Sequence, residues 1–294
     1  MKSDMARKRA YKIVSVVILV VLAFLFLFPL YWIVIGAFKT GKEINATTPV
    51  WFPSEWVLDN FSRLFSRRTA PLFSLFGIEG PTVPAAIRWL LNTVFMAVMA
   101  MVLTCITAAM AGYALAKKRF HGRAILFSLI VCAMALPKQV ILIPLLKEMD
   151  FLGLYDNIWA VIFPTVGWPF GVFLMKQFSE GIPDEILEAA RIDGASEAKT
   201  FTTIVVPMVK PGIGALAIFT FINSWNDYFM QLIMLASGSN FTISLGIATM
   251  QAETSIDMGM LMAGAALAAL PIIIVFLIFQ KYFTQGITMG AVKG

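Results

Sequence analysis

Charge is scarce in this chain. Only 14 % of its 294 residues are Asp, Glu, Lys or Arg, against about 25 % in an ordinary soluble domain. Hydrophobic residues make up 59 %, and so little charge cannot keep so much apolar surface in water. A soluble enzyme is excluded. Disorder is excluded too, because disordered chains are poor in apolar residues. Histidine is almost missing: His121 stands alone, with no cysteine cluster beside it, so no metal site is expected. The two cysteines, Cys105 and Cys132, fall inside apolar blocks and form no disulfide framework. No G-x-x-x-x-G-K-S/T phosphate loop occurs; Gly41-Lys42-Glu43 lacks the hydroxyl residue. There is no Ser/His/Asp arrangement and no paired acid–base site. The chain is expected to be non-catalytic and to bind no cofactor of its own.

Apolar sequence in long blocks is what the chain does have. A bilayer core takes about 20 apolar residues as a helix. Six blocks qualify, at 13–38, 89–116, 124–146, 157–175, 211–234 and 258–280. In lipid they must be helices, since open strands leave backbone groups unpaired. The expectation is an all-α integral membrane protein of six spans, a single domain over 1–294 without linker or internal repeat. Block 13–38 follows Lys2, Arg7, Lys8, Arg9 and Lys12. It is too long for a signal peptide and no small-x-small cleavage site follows, so it reads as a retained anchor.

The net charge of +6 sits in short clusters between the blocks. That pattern sets membrane orientation and does not suggest nucleic acid. Fifteen Lys and Arg fall on the side holding the N-terminus, 117–123, 176–210 and the tail; eight fall on the other. The richer side is expected to be cytoplasmic, with both termini inside. On the other side, Leu58, Phe61, Leu64 and Phe65 repeat at helical spacing with Arg63, Arg67 and Arg68 opposite. This short amphipathic helix lies flat at the outer interface or packs on a partner. Pro71, Gly77, Gly80, Pro81 and Pro84 then indicate a loop over 69–84.

Stretch 176–210 carries ten of the forty charged residues. Pro183 suits the first turn of a helix. Asp184 and Glu185 follow at its positive end, and Arg191 lies in its last turn. Gly194 is placed just past the end, where a left-handed residue is needed. Ser196 is a good cap for a second helix. Small Ala189, Ala190 and Gly194 are ringed by Glu188, Arg191 and Asp193. From the residues alone this helix is either a solvated face or a docking knob for a soluble partner.

Two charges lie within spans, Lys138 and Asp227, about 21 Å and 24 Å along their helices at 1.5 Å per residue. An ionised group at the bilayer centre costs roughly 2.5–3.5 kcal/mol, so each should face a partner, a pore or an interface. They pair with each other, or they snorkel, or Asn223, Asn226 and Asp227 line a polar path to which Trp225 offers its aromatic face. Pro207 and Pro211 are expected to sharpen the entry to the fifth block, and Pro137 to kink the third.

The stretch EAARIDGASEAKTFTTIVVP resembles the EAA loop of ABC-importer permeases, whose pattern is EAA, three residues, Gly, nine residues, Ile, one residue, Leu-Pro. Here Glu188-Ala189-Ala190, Gly194, Ile204 and Pro207 keep that spacing, with Val206 for the usual Leu. Segments NSWNDYFMQLIML (223–235), QKYFTQGITMGAVKG (280–294), LLNTVFMAV (90–98) and LPKQVILIPLL (136–146) are similar to the carbohydrate-uptake, maltose-type branch. The resemblance implies a permease in the cell membrane, moving a sugar or oligosaccharide inward by alternating access. It implies a second, related permease, two ATPase subunits holding ATP and Mg, and an extracytoplasmic solute-binding protein. Glu188, Ala189, Ala190, Asp193, Gly194, Ile204 and Pro207 would couple to the ATPase, which the tail would also reach. The alternative, a self-sufficient secondary transporter, should show inverted repeats and more intramembrane ionisable residues than these two.

Overall fold

The computed structural model describes residues 2–75, 78–252 and 257–291. The chain opens with α1 (Lys2–Gly36), then a single turn, α2 (Gly41–Ile44). Thr40 and Glu43 close α2 with a reciprocal capping box. α3 (Asp59–Ser66) is the amphipathic helix expected from the sequence. It packs in the chain itself: Leu64 and Asn60 are buried against α15 (Met258–Ala291) and α4 (Ala85–Lys117). The Asn60 amide anchors it by donating to the carbonyls of Ala37 and Lys39, at 2.9 and 2.8 Å.

The expected loop over 69–84 is a short hairpin. β1 (Thr69–Pro71) pairs antiparallel with β4 (Thr82–Pro84), and β2 (Ser74–Leu75) with β3 (Ile78–Glu79). Pro71 and Pro84 stand at the ends of their strands and Pro81 lies outside them, places in so short a ladder where proline is tolerated. Leu72 donates to Pro81 and Gly80 to Phe73 between the two paired segments.

α4 (Ala85–Lys117) is the spine. It is free of proline, and Ala100, Thr104, Ala108 and Gly112 put small residues on one face at every fourth position. Small residues let helix backbones approach closely. A Cβ at Gly112 would stand 2.6 Å from the Lys176 nitrogen, and one at Gly171 would stand 3.3 Å from the Ala108 Cβ. The helix carrying Lys176 and Gly171, α8 (Pro169–Glu180), therefore seats directly on α4.

The next blocks are broken. Block 124–146, expected as one span, is α5 (Arg123–Ala133) and α6 (Lys138–Phe151), bent by 106°. Pro137 caps α6 in an extended conformation and cannot continue α5. Block 157–175 is α7 (Trp159–Val166) and α8 (Pro169–Glu180), bent by 40° at Gly167-Trp168. After α9 (Asp184–Ile192) come α10 (Glu197–Thr200), a wide π-turn over Phe201–Val205, and α11 (Val206–Met208). Pro207 has no N–H to close an α-turn, and Val206 N reaches back to Phe201 O. α12 (Lys210–Asn226) leaves at 77° to this run. Block 211–234 ends early, because Asp227 interrupts it before α13 (Tyr228–Met234). α14 (Ile243–Ala252) and α15 (Met258–Ala291) complete the described chain.

Three helices, over Lys8–Gly36, Ala85–Lys117 and Met258–Gln280, are each long and apolar enough to cross a membrane, and three bent pairs can each supply one more. α1 is almost wholly exposed except at its end, where Gly36 receives Met262 of α15. There Phe28 and Trp32 meet Trp51 at ring distances of 5.9 and 6.2 Å, an aromatic tier of the kind found at membrane interfaces. Two cores lie along α4. One gathers Trp89, Met96, Trp225, Met234 and Leu245; the other gathers Ala108, Tyr113, Met175, Leu187 and Leu216 beneath α9.

Candidate functional site

Loop 183–207 takes the helix–glycine–helix form that its residues dictate. Pro183 stands extended before α9, and Asp184 and Glu185 occupy the first turn. At the other end Gly194 adopts φ +74°. Its N–H reaches Arg191 O at 3.1 Å, and Ala195 N–H reaches Ala190 O at 3.0 Å. These two bonds form a complete Schellman motif. The Ser196 side chain accepts from Lys199 N at 3.3 Å and starts α10.

The small residues divide between two faces. Leu187 and Ala190 turn into the chain, so Ala190 is not part of the outward surface. Glu188, Ala189 and Asp193 face outward. So does Ile192, 87 % exposed, which the sequence reading passed over; a large apolar residue off the buried stripe of a short amphipathic helix was the available signal. Ile204 is half-buried in the π-turn and Pro207 is exposed in α11.

Two adjacent lysines at the end of α4 hold this loop. Lys117, its side chain only 9 % exposed, donates to Ile182 O at 2.6 Å and to Asp184 Oδ1 at 2.7 Å. The hydrogen bond and then the charge of Lys117 hold the Asp184 carboxyl below its ordinary value. Lys118 bonds Glu197 Oε2, and that bond lowers the Glu197 carboxyl in the same way. Tyr113 adds a hydroxyl donor to Glu197 at 3.4 Å and a ring against Phe201 at 5.7 Å. Neither lysine was singled out from the sequence, because nothing local links position 117 to position 184.

The second constellation surrounds Asp227. Lys138 and Asp227 pair at 3.2 Å, with side chains 49 % and 19 % exposed. Each stands at a helix break: Lys138 begins α6, and Asp227 caps α13 by accepting from Met230 N at 3.4 Å. Asn223 and Asn226 share an exposed face of α12, each bonding its own helix four residues back, to Phe219 O and Ile222 O. Trp225 departs from expectation. It is 2 % exposed and stacks on Phe221 at 5.5 Å in the core. Three residues of helix separate Asn223 from Asn226, which puts them on one face; Trp225 is rotated about 100° from Asn226 and falls on the other. It offers no face to a ligand.

At the opposite end of α4 from α9, segment 235–243 is tied down. Asp156, at φ +58°, accepts from the backbones of Ala236 and Ser237 at 2.8 Å each. Burial pushes the Asp156 carboxyl up, but the bonds from Ser237, Ala236 and Asn240 bring it below its ordinary value. From α4, Trp89 Nε1 donates to Gly238 O at 2.7 Å, and Asn92 donates to Ser239 O and Phe241 O at 2.8 and 2.9 Å. Thr93 Oγ1 accepts from Ile243 N at 2.9 Å. Among the described residues no group of three His, Cys, Asp or Glu side chains stands close enough to hold a metal.

Comparison with known proteins agrees with this architecture. The family model described as binding-protein-dependent transport system inner membrane component matches residues 106–289. The arabinooligosaccharides transport system permease protein AraQ of Halalkalibacterium halodurans is 34 % identical over 275 residues, 93 % of each chain. The maltodextrin transport system permease protein MdxG of Bacillus subtilis is 32 % identical over 288 residues, 96 % of each chain. A solved bacterial ABC transporter involved in the import of the acidic polysaccharide alginate superposes with a TM-score of 0.73 at 25 % identity, covering 94 % of this chain and 97 % of that one. With the apolar helices, the matched segment and the relatives in agreement, the chain belongs to the binding-protein-dependent inner-membrane components: it is a multi-pass permease of the ABC-importer family.

Proposed function

We propose that this permease forms one half of the path through which an ATP-driven importer carries a sugar or oligosaccharide into the cytoplasm, opening alternately to either side. The observation that carries the coupling half of this reading is α9. It is a short exposed helix closed by a Schellman glycine, strapped to the end of the proline-free helix α4, and it presents Glu188, Ala189, Ile192, Asp193 and Gly194 outward. Such a knob suits a groove on an ATPase subunit; Ala190, Ile204 and Pro207 set its seat. ATP and Mg belong to two such subunits, since this chain has no phosphate loop. A solute-binding protein delivers the cargo outside, and a second, related permease completes the path. Six spans with both termini cytoplasmic fit the charge asymmetry.

The sugar half of the reading rests on relatives named for arabinooligosaccharides and maltodextrin. The exposed amides of Asn223 and Asn226, beside the neutralised Lys138–Asp227 pair, suit a surface facing the second permease and the path. Polar groups in lipid need such a setting. The test is uptake by proteoliposomes holding both permeases and the ATPase, supplied with ATP inside and binding protein outside. ATP-dependent accumulation of labelled arabinooligosaccharide or maltodextrin is expected. ATP-independent uptake, driven by an ion gradient, would overturn the reading in favour of a secondary transporter.

A further inference from the structure

The long helices of this chain differ in one respect that bears on how its two ends communicate. α1 contains Pro29 and α15 contains Pro271. Two further blocks bend by 106° and 40°, and α12 leaves the run before it at 77°. Each of these is a place where the backbone hydrogen-bond ladder loses at least one bond. α4 alone among the described helices of more than 20 residues has neither proline nor break. Its 33 residues span about 50 Å at 1.5 Å per residue.

Both ends of this helix grip a loop through side chains. At one end Lys117 holds Ile182 O and Asp184, and Lys118 holds Glu197, so that α9 is fixed on either side. At the other, Trp89, Asn92 and Thr93 hold segment 238–243 by its backbone. Backbone partners, three carbonyl acceptors and the Ile243 N–H donor, make this second grip a grip on the path of the chain itself. Between the ends, Gly112 and Ala108 seat the helix on α8 so closely that it cannot roll without displacing that backbone.

We propose that α4 is the transmission rod of the subunit. Lys117 and Lys118 are its positioning residues on the coupling loop; Trp89, Asn92 and Thr93 are its positioning residues on segment 235–243. A shift of α9 then moves that segment, about 39 Å away by the 26 residues from Asn92 to Lys118, without passing through a flexible break. The proposal rests on the reading of α9 as the ATPase-coupling helix.

The test uses the complete complex with its ATPase, on a background with Cys105→Ala and Cys132→Ala. A Gly238→Cys reporter is introduced where a side chain meets nothing within 4 Å. Its labelling rate by a membrane-impermeant maleimide is measured without nucleotide and after trapping with ATP and vanadate. The rod predicts that trapping changes this rate by about five-fold or more, the lower range of ordinary allosteric coupling. Lys118→Met should abolish the change while the ATPase still co-purifies, and Lys118→Glu with Glu197→Lys should bring it back. Should Lys118→Met fail to assemble, Trp89→Phe, which removes the indole donor together with part of the buried ring, should abolish the change from the other end. A nucleotide response at 238 that is unaltered in Lys118→Met or Trp89→Phe overturns the rod, as does a parent that hydrolyses ATP with no response at 238. Failure of the underlying reading is recognised separately: Gly194→Asp would then leave both ATPase binding and uptake at wild-type levels.

Discussion

Gly194 and Asp227 both end a helix and redirect the chain, and they do so by opposite means. At Gly194 everything is local. Bonds within six residues close α9, the residue has no Cβ, and its surroundings in the chain are open. At Asp227 a charged side chain does the work. It caps α13 and reaches Lys138, 89 positions away in sequence, at another break. The first break is stiff in itself, whereas the second is held by a contact that a change elsewhere can release. A surface that must dock a partner repeatedly in one shape is better built the first way, and a path that must open and close the second.

The largest effect is expected at the stiff break. Gly194→Asp puts a Cβ at a left-handed position, a strain of at most about 1 kcal/mol for this residue type, and adds a charged side chain to the proposed docking face. We expect uptake to fall at least about ten-fold and the ATPase to be lost on purification, while membrane insertion is unchanged. A variant that keeps the ATPase and transports normally would reduce α9 to a solvated helix.

At the second break the effect should be graded. Asp227→Leu loses both cap and ion pair, and unfolding in detergent should become easier by about 1–2 kcal/mol. Asp227→Asn keeps a capping oxygen and loses only the partly exposed pair, costing less than about 1 kcal/mol. If Asp227 lines the path, Asp227→Asn slows uptake while the complex assembles. If it serves only the pair, exchanging the two charges in Lys138→Asp with Asp227→Lys restores protein levels and uptake together. Normal transport by Asp227→Ala removes the residue from both roles.

The smallest effect concerns a third local closure. The side-chain bond from Ser54, its backbone bond and those of Thr40 hold the Glu43 carboxyl down at about 2, from an ordinary 4.5. A carboxyl lowered on folding stabilises the fold above its unfolded value and loses that contribution as pH falls toward its folded one. Exchange protection of the Ser54 amide should therefore be level from pH 7 to about 5 and decline between about 4.5 and 2. Glu43→Gln should flatten that decline.

What the sequence revealed follows the same division. The Schellman turn, the cap at Ser196 and the proline breaks near 137 and 207 are short-range chemistry, and they were legible. So was the helix around Leu64, but its seat was not, since Asn60 finds its carbonyl acceptors 21 and 23 positions away. Trp225 was misjudged because its neighbours Asn223 and Asn226 are polar. Only the helix phase, fixed by packing with Phe221, sends it to the core. Lys117, Lys118 and Asp156 act on segments 65 to 84 residues away, a relation that no window of sequence contains. The hairpin over 69–84 was read as a loop because its prolines outweighed two very short ladders.

The central claim, that α9 seats in an ATPase subunit, is tested most directly at its most exposed apolar side chain. With Cys105→Ala and Cys132→Ala in place, Ile192→Cys labelled with benzophenone maleimide should photo-cross-link to the ATPase in the assembled complex, and ATP with vanadate should alter the yield. An assembled, transporting complex in which position 192 is labelled freely by a soluble maleimide and never joins the ATPase would contradict it.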